Sequence, residues 1–350
     1  MNFSDELSKY RKIVDKELGV FLNRKIKDAS SDPFLKELYL CIKEYVMHGG
    51  KRLRPIMLIM AYKAFNGKNE KEAYIPSLSL ELLHNSTLIH DDFMDEDELR
   101  RNEPTVYKKI KGYFLKNFNE VSYNGPLFNR LSSRFAVANA TLAGNLLFSM
   151  CLSVLPTKEL VYKINKAYKT VNDGQALDIV SSLREIGEKD YLKMISKKTG
   201  ALIEASIEMG AMMANADKKQ IKKIKEFGHN LALGFQLWDD VMDLSREMNK
   251  GHELGSDIKK GKKTLIIIHA LKKLEKKEKE HLLRVLGSEN ASKEKIEKTI
   301  DILKEPIGYA KNIAEEKIKK AKESLKDCGL NKEGYTFFDN LADFIVKRDV

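Results

Sequence analysis

Apolar residues recur at intervals of three and four along nearly the whole of this 350-residue chain, and this period constrains the fold more than any other feature. It runs through "ELSKYRKIVDKELGVFL", "FLKELYLCIKEYVM", "IPSLSLELLHNSTLIHDDFMD" and "AVANATLAGNLLFSMCLSVL". It continues through "YLKMISKKTGALIEASIEMGAMMA", "IKKIKEFGHNLALGFQLWDDVMDL" and "TLIIIHALKKL". Such spacing puts the apolar residues on one face of an α-helix. Alternating β-branched runs are scarce; "LIIIH" comes nearest and lies inside a helical pattern. Breakers fall between the segments at Gly49-Gly50, Gly67, Gly187, Gly255 and Gly261. The pattern predicts an all-α bundle of about ten or more helices. No Pro/Ser/Gly-rich linker interrupts it, so a single domain over residues 1–350 is expected. One stretch is irregular: Lys111–Arg134, with the turn signal Asn124-Gly125-Pro126 at its middle, reads as an insertion at about 111–134.

Net charge is +11, much of it in the Lys-rich stretches 216–225, 259–263 and 272–322. A basic balance favours anionic partners: nucleic acid, phosphorylated metabolites or anionic lipid. The 272–322 runs alternate Lys with Glu, as solvated helices do. With no nucleic-acid motif and no basic stripe interleaved with aromatics, no nucleic-acid partner is expected. Cys41, Cys151 and Cys328 are far apart and fit neither a metal spacing nor a disulfide framework, which suits a reducing cytoplasm. The opening "MNFSDELSKYRK" lacks the apolar core of a signal peptide. No uninterrupted apolar run approaches the ~20 residues of a membrane span. A soluble, cytoplasmic protein without a transmembrane segment is therefore expected.

Acidic residues cluster where the helical pattern would disfavour them. In "DDFMD", Asp91 and Asp95 stand one turn apart on a helix, with Asp92 between. Two carboxylates at that spacing can hold Mg²⁺ and leave water and phosphate oxygens in its other octahedral positions. Acidic pairs of this kind are also common on surface helices. Here, however, the cluster repeats as Asp239, Asp240 and Asp243 in "FQLWDDVMDL", again after an apolar helical run. Two such clusters could face each other across a bundle and share Mg²⁺ ions.

Basic residues accompany the acids. "HGGKRLRP" follows a glycine turn with Lys51, Arg52 and Arg54, a cation set that can bind phosphate at a helix start or simply lie on a surface. Arg100 and Arg101 follow Asp91 by nine and ten residues; adjacent arginines cannot share one helix face, so each could serve a different anion. "SKKTG" brings Lys198 and Thr199 into a helical pattern that Gly200 weakens, and "GSDIKKGKKT" is a glycine-bounded basic loop. A kinked helix and a solvated turn are the plain alternatives for these two. Together, acids that hold metal, metal that holds diphosphate and two separate basic sets suggest two phosphorylated substrates in an apolar setting without a usual general base.

At these residues the chain resembles the trans (E-type) isoprenyl diphosphate synthases. "GGKRLRP", "LIHDDFMD…RR", "GQALDI", "KTG", "GFQLWDDVMD" and "GSDIKKGKKT" occur in that family's order, over roughly residues 40–270. The resemblance implies an isoprenoid-synthase-like bundle around a central apolar cavity. It implies that isopentenyl diphosphate is held by Lys51, Arg54, His84 and Arg101, and the allylic diphosphate by Arg100, Lys198 and Lys262. Asp91, Asp95 and Asp239 would hold Mg²⁺ directly, with Asp92, Asp240 and Asp243 in support, and about three ions per active site. Thr199 and Gln236 would point oxygen dipoles at a developing allylic cation. The chain departs from the family where a lysine commonly precedes "GSD": it has Gly251-His252, and His252 is kept as a further allylic diphosphate contact.

The resemblance also implies a short-chain prenyltransferase that joins isopentenyl diphosphate to dimethylallyl, geranyl or farnesyl diphosphate. Growth would run back along the helix of the first acid cluster, past Ser86, Thr87 and Leu83. Ser86 and Thr87 are small, so geranylgeranyl diphosphate (C20) is the expected product, with farnesyl (C15) or C25 diphosphate as alternatives. A class I terpene cyclase would not need the second basic set. A non-catalytic subunit of a heteromeric synthase would tend to lose acids that are intact here. A homodimer through apolar helices such as Ala136–Leu155 is expected.

Overall fold

Local signals set the helix starts. Asn2 caps the first helix, α1 (Phe3–Asp28), by accepting from the amide of Asp5. Asp32 caps α2 (Pro33–Met47), with Pro33 in the first turn where its missing N–H does no harm. The computed structural model describes residues 2–245 and 254–347. The chain continues through α3 (Leu53–Ala64), a 3₁₀ turn at Glu70–Ala73 and α4 (Tyr74–Met94). A two-residue hairpin follows, β1 (Leu99–Arg100) paired antiparallel with β2 (Glu103–Pro104), then α5 (Val106–Asn117), α6 (Leu131–Ser153) and α7 (Lys158–Leu183). Next come α8 (Glu188–Ile195), a π turn at Ser196–Gly200, α9 (Ala201–Met213) and α10 (Lys218–Asp243). The last elements are α11 (Ser256–Lys259), α12 (Leu265–Lys273), α13 (Lys276–Val285), α14 (Lys293–Ile302), α15 (Lys304–Leu325) and α16 (Lys332–Lys347). The all-α expectation holds, and "LIIIH" is helical within α12.

Two compact units are resolved, Met1–Tyr62 with Lys68–Ile164, and Lys63–Gly67 with Asn165–Val350. In the first, α4 is the central helix: Leu78, Leu80, Leu82, Leu83 and Ile89 are buried, and it packs on α6 and α1. In the second, α10 packs on α9, α15 and α16, with Leu231, Leu237 and Val241 in the core. Asp217 and Gln220 form a reciprocal capping box at the start of α10.

One expectation needs revision. The irregular stretch is shorter than 111–134, because α5 extends to Asn117 and α6 begins at Leu131. Residues 118–130 form a loop with a bridge between Ser122 and Arg130, and Glu120 accepts from the amide and hydroxyl of Ser132. Helix α6 is long and apolar enough to cross a membrane, at a mean hydropathy of 1.5, although no apolar run in it is uninterrupted. Scattered Asn and Thr hide this from a search for uninterrupted apolar runs. Within its unit, Ala136, Ala140, Ala143 and Leu147 of α6 are buried, as in a core helix that packs on α4 and α5.

Candidate active site

The stripe His84, Thr87, Leu88, Asp91 runs half-buried along α4 at helical spacing, and Asp95, the C-cap, is exposed beyond it. Asp92 points the other way and is 1% exposed. Its Oδ2 accepts from the hydroxyl of Tyr45 on α2 at 2.6 Å, and its Oδ1 from Nε of Arg100. Burial pushes the Asp92 carboxyl up, while Arg100 and Tyr45 pull it back. With both oxygens engaged, Asp92 acts as a brace between α2, α4 and the hairpin.

The hairpin solves the problem of two adjacent arginines. Arg101 and Asn102 form its turn with φ of 54° and 65°, the left-handed pair that suits a two-residue hairpin. Arg100 turns back to α4, with its Nη2 3.6 Å from Asp91. Arg101 donates to the carbonyl of His48 at 2.9 Å. Gly50, at φ 99°, leaves room for it: a Cβ there would lie 3.3 Å from the Arg101 guanidinium. A cavity of about 370 Å³ opens here, lined by Arg100, Arg101, Tyr45, Asn85 and Lys109 among others.

The basic set at the start of α3 divides by role. Arg52 is 3% exposed and bonds Glu81 at 2.6 Å, Asp15 at 2.8 Å and the carbonyl of Val46 at 2.8 Å. It is structural. Lys51 is exposed and Arg54 half-buried. Nε of Arg54 is buried without a hydrogen-bond partner among the described residues, an unsatisfied donor that an anion would satisfy. Burial and then Arg54, Arg101, Arg100 and Arg52 hold the His84 imidazole well below its ordinary pKa, so it is neutral at pH 7. Ser86 is fully buried and donates to the carbonyl of Gly144 on α6 at 2.8 Å. Thr87 donates to the carbonyl of His84 at 2.8 Å, and Leu83 is fully buried.

The second unit repeats the arrangement. Asp240 on α10 is 4% exposed, Asp239 is exposed and Asp243 half-buried. Tyr191 on α8 donates its hydroxyl to Oδ2 of Asp240, and Gln236 donates to Oδ1 at 3.1 Å. Thr199 in turn donates to Oε1 of Gln236 at 2.8 Å. Burial and the nearby Asp257 push the Asp240 carboxyl up, against the pull of its two donors. Asp243 accepts from the amide of Asp257 at 3.0 Å, and burial with the Asp257 charge raises its pKa to about 7. Lys262 pairs with Asp257 at 2.9 Å.

Lys198 and Thr199 lie in the π turn Ser196–Gly200, the form that the weak point at Gly200 takes. Lys198 bonds Asp178 of α7 at 2.6 Å. Gly174 permits this approach, because a Cβ there would sit 2.3 Å from the amide nitrogen of Lys198. His252 and Gly251 lie outside the described residues.

Among the described residues, no three carboxylate, imidazole or thiol groups converge to ligand distance. The donors fit Mg²⁺ nonetheless. Each unit offers carboxylates on an exposed helix end, and the like charges of Asp257 and Asp239 bear on Asp243, a repulsion that a divalent cation would offset. The braces Tyr45 and Tyr191 escaped the sequence reading because each sits in the apolar stripe of its helix and looks like core. Asp178 stood in the "GQALDI" stretch, but nothing local revealed Lys198, 20 positions on, as its partner.

A family model described as polyprenyl synthetase matches residues 35–303. The short chain isoprenyl diphosphate synthase of Methanocaldococcus jannaschii is 37% identical over 96% of this chain and 93% of its own. The geranylgeranyl diphosphate synthase of Sulfolobus acidocaldarius is 34% identical over 89% and 91%. A crystal structure of geranylgeranyl pyrophosphate synthetase from Pyrococcus horikoshii superposes with a TM-score of 0.77 at 34% identity, covering 97% of this chain and 99% of that one. That of Corynebacterium glutamicum geranylgeranyl pyrophosphate synthase, complexed with isoprenyl diphosphate and magnesium, shares the fold at a TM-score of 0.85 and 23% identity, over 98% of this chain and 99% of that one.

Proposed function

This chain belongs to the polyprenyl synthetase family, and from that premise we propose a Mg²⁺-dependent trans-prenyltransferase that extends allylic diphosphates with isopentenyl diphosphate to geranylgeranyl diphosphate. The observation that carries this reading is the duplicated cluster in which the middle aspartate is buried and braced, Asp92 by Tyr45 and Asp240 by Tyr191. Such bracing aims the flanking carboxylates outward, toward an ion and its diphosphate.

Lys51, Arg54 and Arg101, with neutral His84 as a hydrogen-bond donor, bind isopentenyl diphosphate. Arg100, Lys198 and Lys262, each seen against a carboxylate, exchange that partner for the allylic diphosphate; His252 joins this set. Asp91, Asp95 and Asp239 are the metal ligands, with Asp243 in support. Bound Mg²⁺ supplies Lewis-acid stabilisation of the leaving diphosphate, about three ions per active site. Thr199 and Gln236 present oxygen to the allylic cation that remains. The double bond of isopentenyl diphosphate attacks that cation, and the departed diphosphate takes the proton, so no protein base is required. The chain acts as a single catalytic domain over residues 1–350, as a homodimer through apolar helices such as Ala136–Leu155, on which Leu142 is exposed. Free, buried Cys41, Cys151 and Cys328 support a cytoplasmic setting.

The test is turnover of labelled isopentenyl diphosphate by the purified chain, with dimethylallyl, geranyl and farnesyl diphosphates as separate starters. Chromatography of the dephosphorylated products should show C20 alcohol from each starter and none with EDTA. A product that stops at C15 would reject the C20 assignment, and no product at all would reject the transferase.

A further inference from the structure

The hydrogen bonds around Asp240 have one direction. Asp240 is a carboxyl with no N–H, and its Oδ1 receives the amide nitrogen of Gln236 at 3.1 Å. That turns the amide oxygen of Gln236 the other way, where it can only accept. The hydroxyl of Thr199 donates to it at 2.8 Å. With its hydrogen committed, Thr199 has only lone pairs left to offer. At the far end, Oδ2 of Asp240 is engaged by the hydroxyl of Tyr191, which is 3% exposed. All four residues belong to one unit, on α8, the π turn and α10.

We propose that Tyr191 is a positioning residue that sets the polarity of the chain Tyr191–Asp240–Gln236–Thr199, so that oxygen rather than hydrogen faces the reacting allylic carbon. This rests on the prenyltransferase reading above. Tyr191 reaches the substrate only through three intervening side chains. Without its hydroxyl, Oδ2 of Asp240 lacks its buried partner, and the carboxyl is free to rotate. Rotation releases the Gln236 amide to flip, and Thr199 then presents a hydrogen to positive charge. The substrate complex holds no allylic carbocation, so binding is little affected and the loss falls on turnover.

Tyr191→Phe tests this, because it keeps the buried ring. We expect kcat about tenfold lower, with KM for isopentenyl diphosphate within about twofold of wild type. A readout independent of turnover comes from Trp238, the sole tryptophan, which adjoins Asp239. Mg²⁺-dependent binding of an allylic thiolodiphosphate, followed by its fluorescence, should shift by no more than about twofold. In a Thr199→Val background the same substitution should lower kcat by less than about twofold, because the end of the chain is already gone. Equal losses in the two backgrounds overturn the relay, as does a Tyr191→Phe enzyme with wild-type kcat. Should Tyr191→Phe fail to fold by circular dichroism, Gln236→Glu removes the donor to Asp240 and keeps an acceptor for Thr199. Turnover of that variant at the wild-type rate overturns the relay, and a kcat reduced with unchanged KM supports it. A wild-type chain that makes no prenyl product overturns the transferase reading itself, which separates that failure from failure of the relay.

Discussion

The hydroxyl of Tyr45 lies 2.6 Å from Oδ2 of Asp92, the two residues being 47 positions apart and both buried. The contact ties α2 to the end of α4 and holds the middle carboxylate of the first acid cluster away from solvent. Burial and the neighbouring Asp92 charge push the Tyr45 phenol far up, so it donates throughout the working range of pH.

Among the described residues, loss of that donor leaves Asp92 bonded to Arg100. Tyr45→Phe should lower stability by about 1–3 kcal/mol, the penalty for an unsatisfied buried acceptor. Urea unfolding monitored by circular dichroism measures it. A stability equal to wild type would show that Arg100 suffices.

Gly174→Ala places a methyl 2.3 Å from the backbone nitrogen of Lys198, which no side-chain rotation relieves. Helix α7 or the π turn must move, at about 1–3 kcal/mol. The expected result is a raised KM for the allylic substrate with KM for isopentenyl diphosphate unchanged, since Lys198 and Thr199 are displaced while Lys51 and Arg54 are not. Steady-state kinetics with each substrate varied separately checks this.

The carboxyl of Asp243 makes metal-free stability depend on pH. Its folded pKa, about 7, lies above the ordinary carboxyl value of 3.8, so the folded state binds the extra proton between those values. Its contribution therefore falls as pH rises through that window. The stability of wild type relative to Asp243→Asn should decline from pH 5 to pH 8 in EDTA, and Mg²⁺ should raise the wild-type melting temperature more at pH 8 than at pH 6. A difference that stays flat with pH would remove Asp243 from the account. His84 has the opposite sign: its depressed pKa weakens the fold as pH drops below about 6.5.

Chain length separates Ser86 from Thr87. Thr87 shares the half-buried stripe of His84 and Asp91, whereas Ser86 is buried against α6 and bonded to Gly144. Thr87→Phe should shift product toward C15 with little loss of stability. Ser86→Phe should also shorten product, but only by forcing α4 from α6, with a stability loss of about 1–3 kcal/mol from overpacking. Product chromatography beside thermal melts distinguishes the two.

The helical architecture and the two acid clusters were legible in the sequence, because apolar period and carboxylate spacing are local properties of a helix. The same holds for the turn at Asn124-Gly125-Pro126 and for the weak helix at "SKKTG". What each charged side chain does was not legible. By spacing alone Lys51, Arg52 and Arg54 are equivalent. Only folding brings Glu81 and Asp15 to Arg52, from 29 and 37 positions away, and makes it a strut rather than a ligand. Tyr45 and Tyr191 likewise look like core residues until a distant aspartate meets their hydroxyls. Periodicity reports which face of a helix is buried; which polar group awaits it there depends on contacts between segments remote in sequence, and these exist only in the tertiary structure.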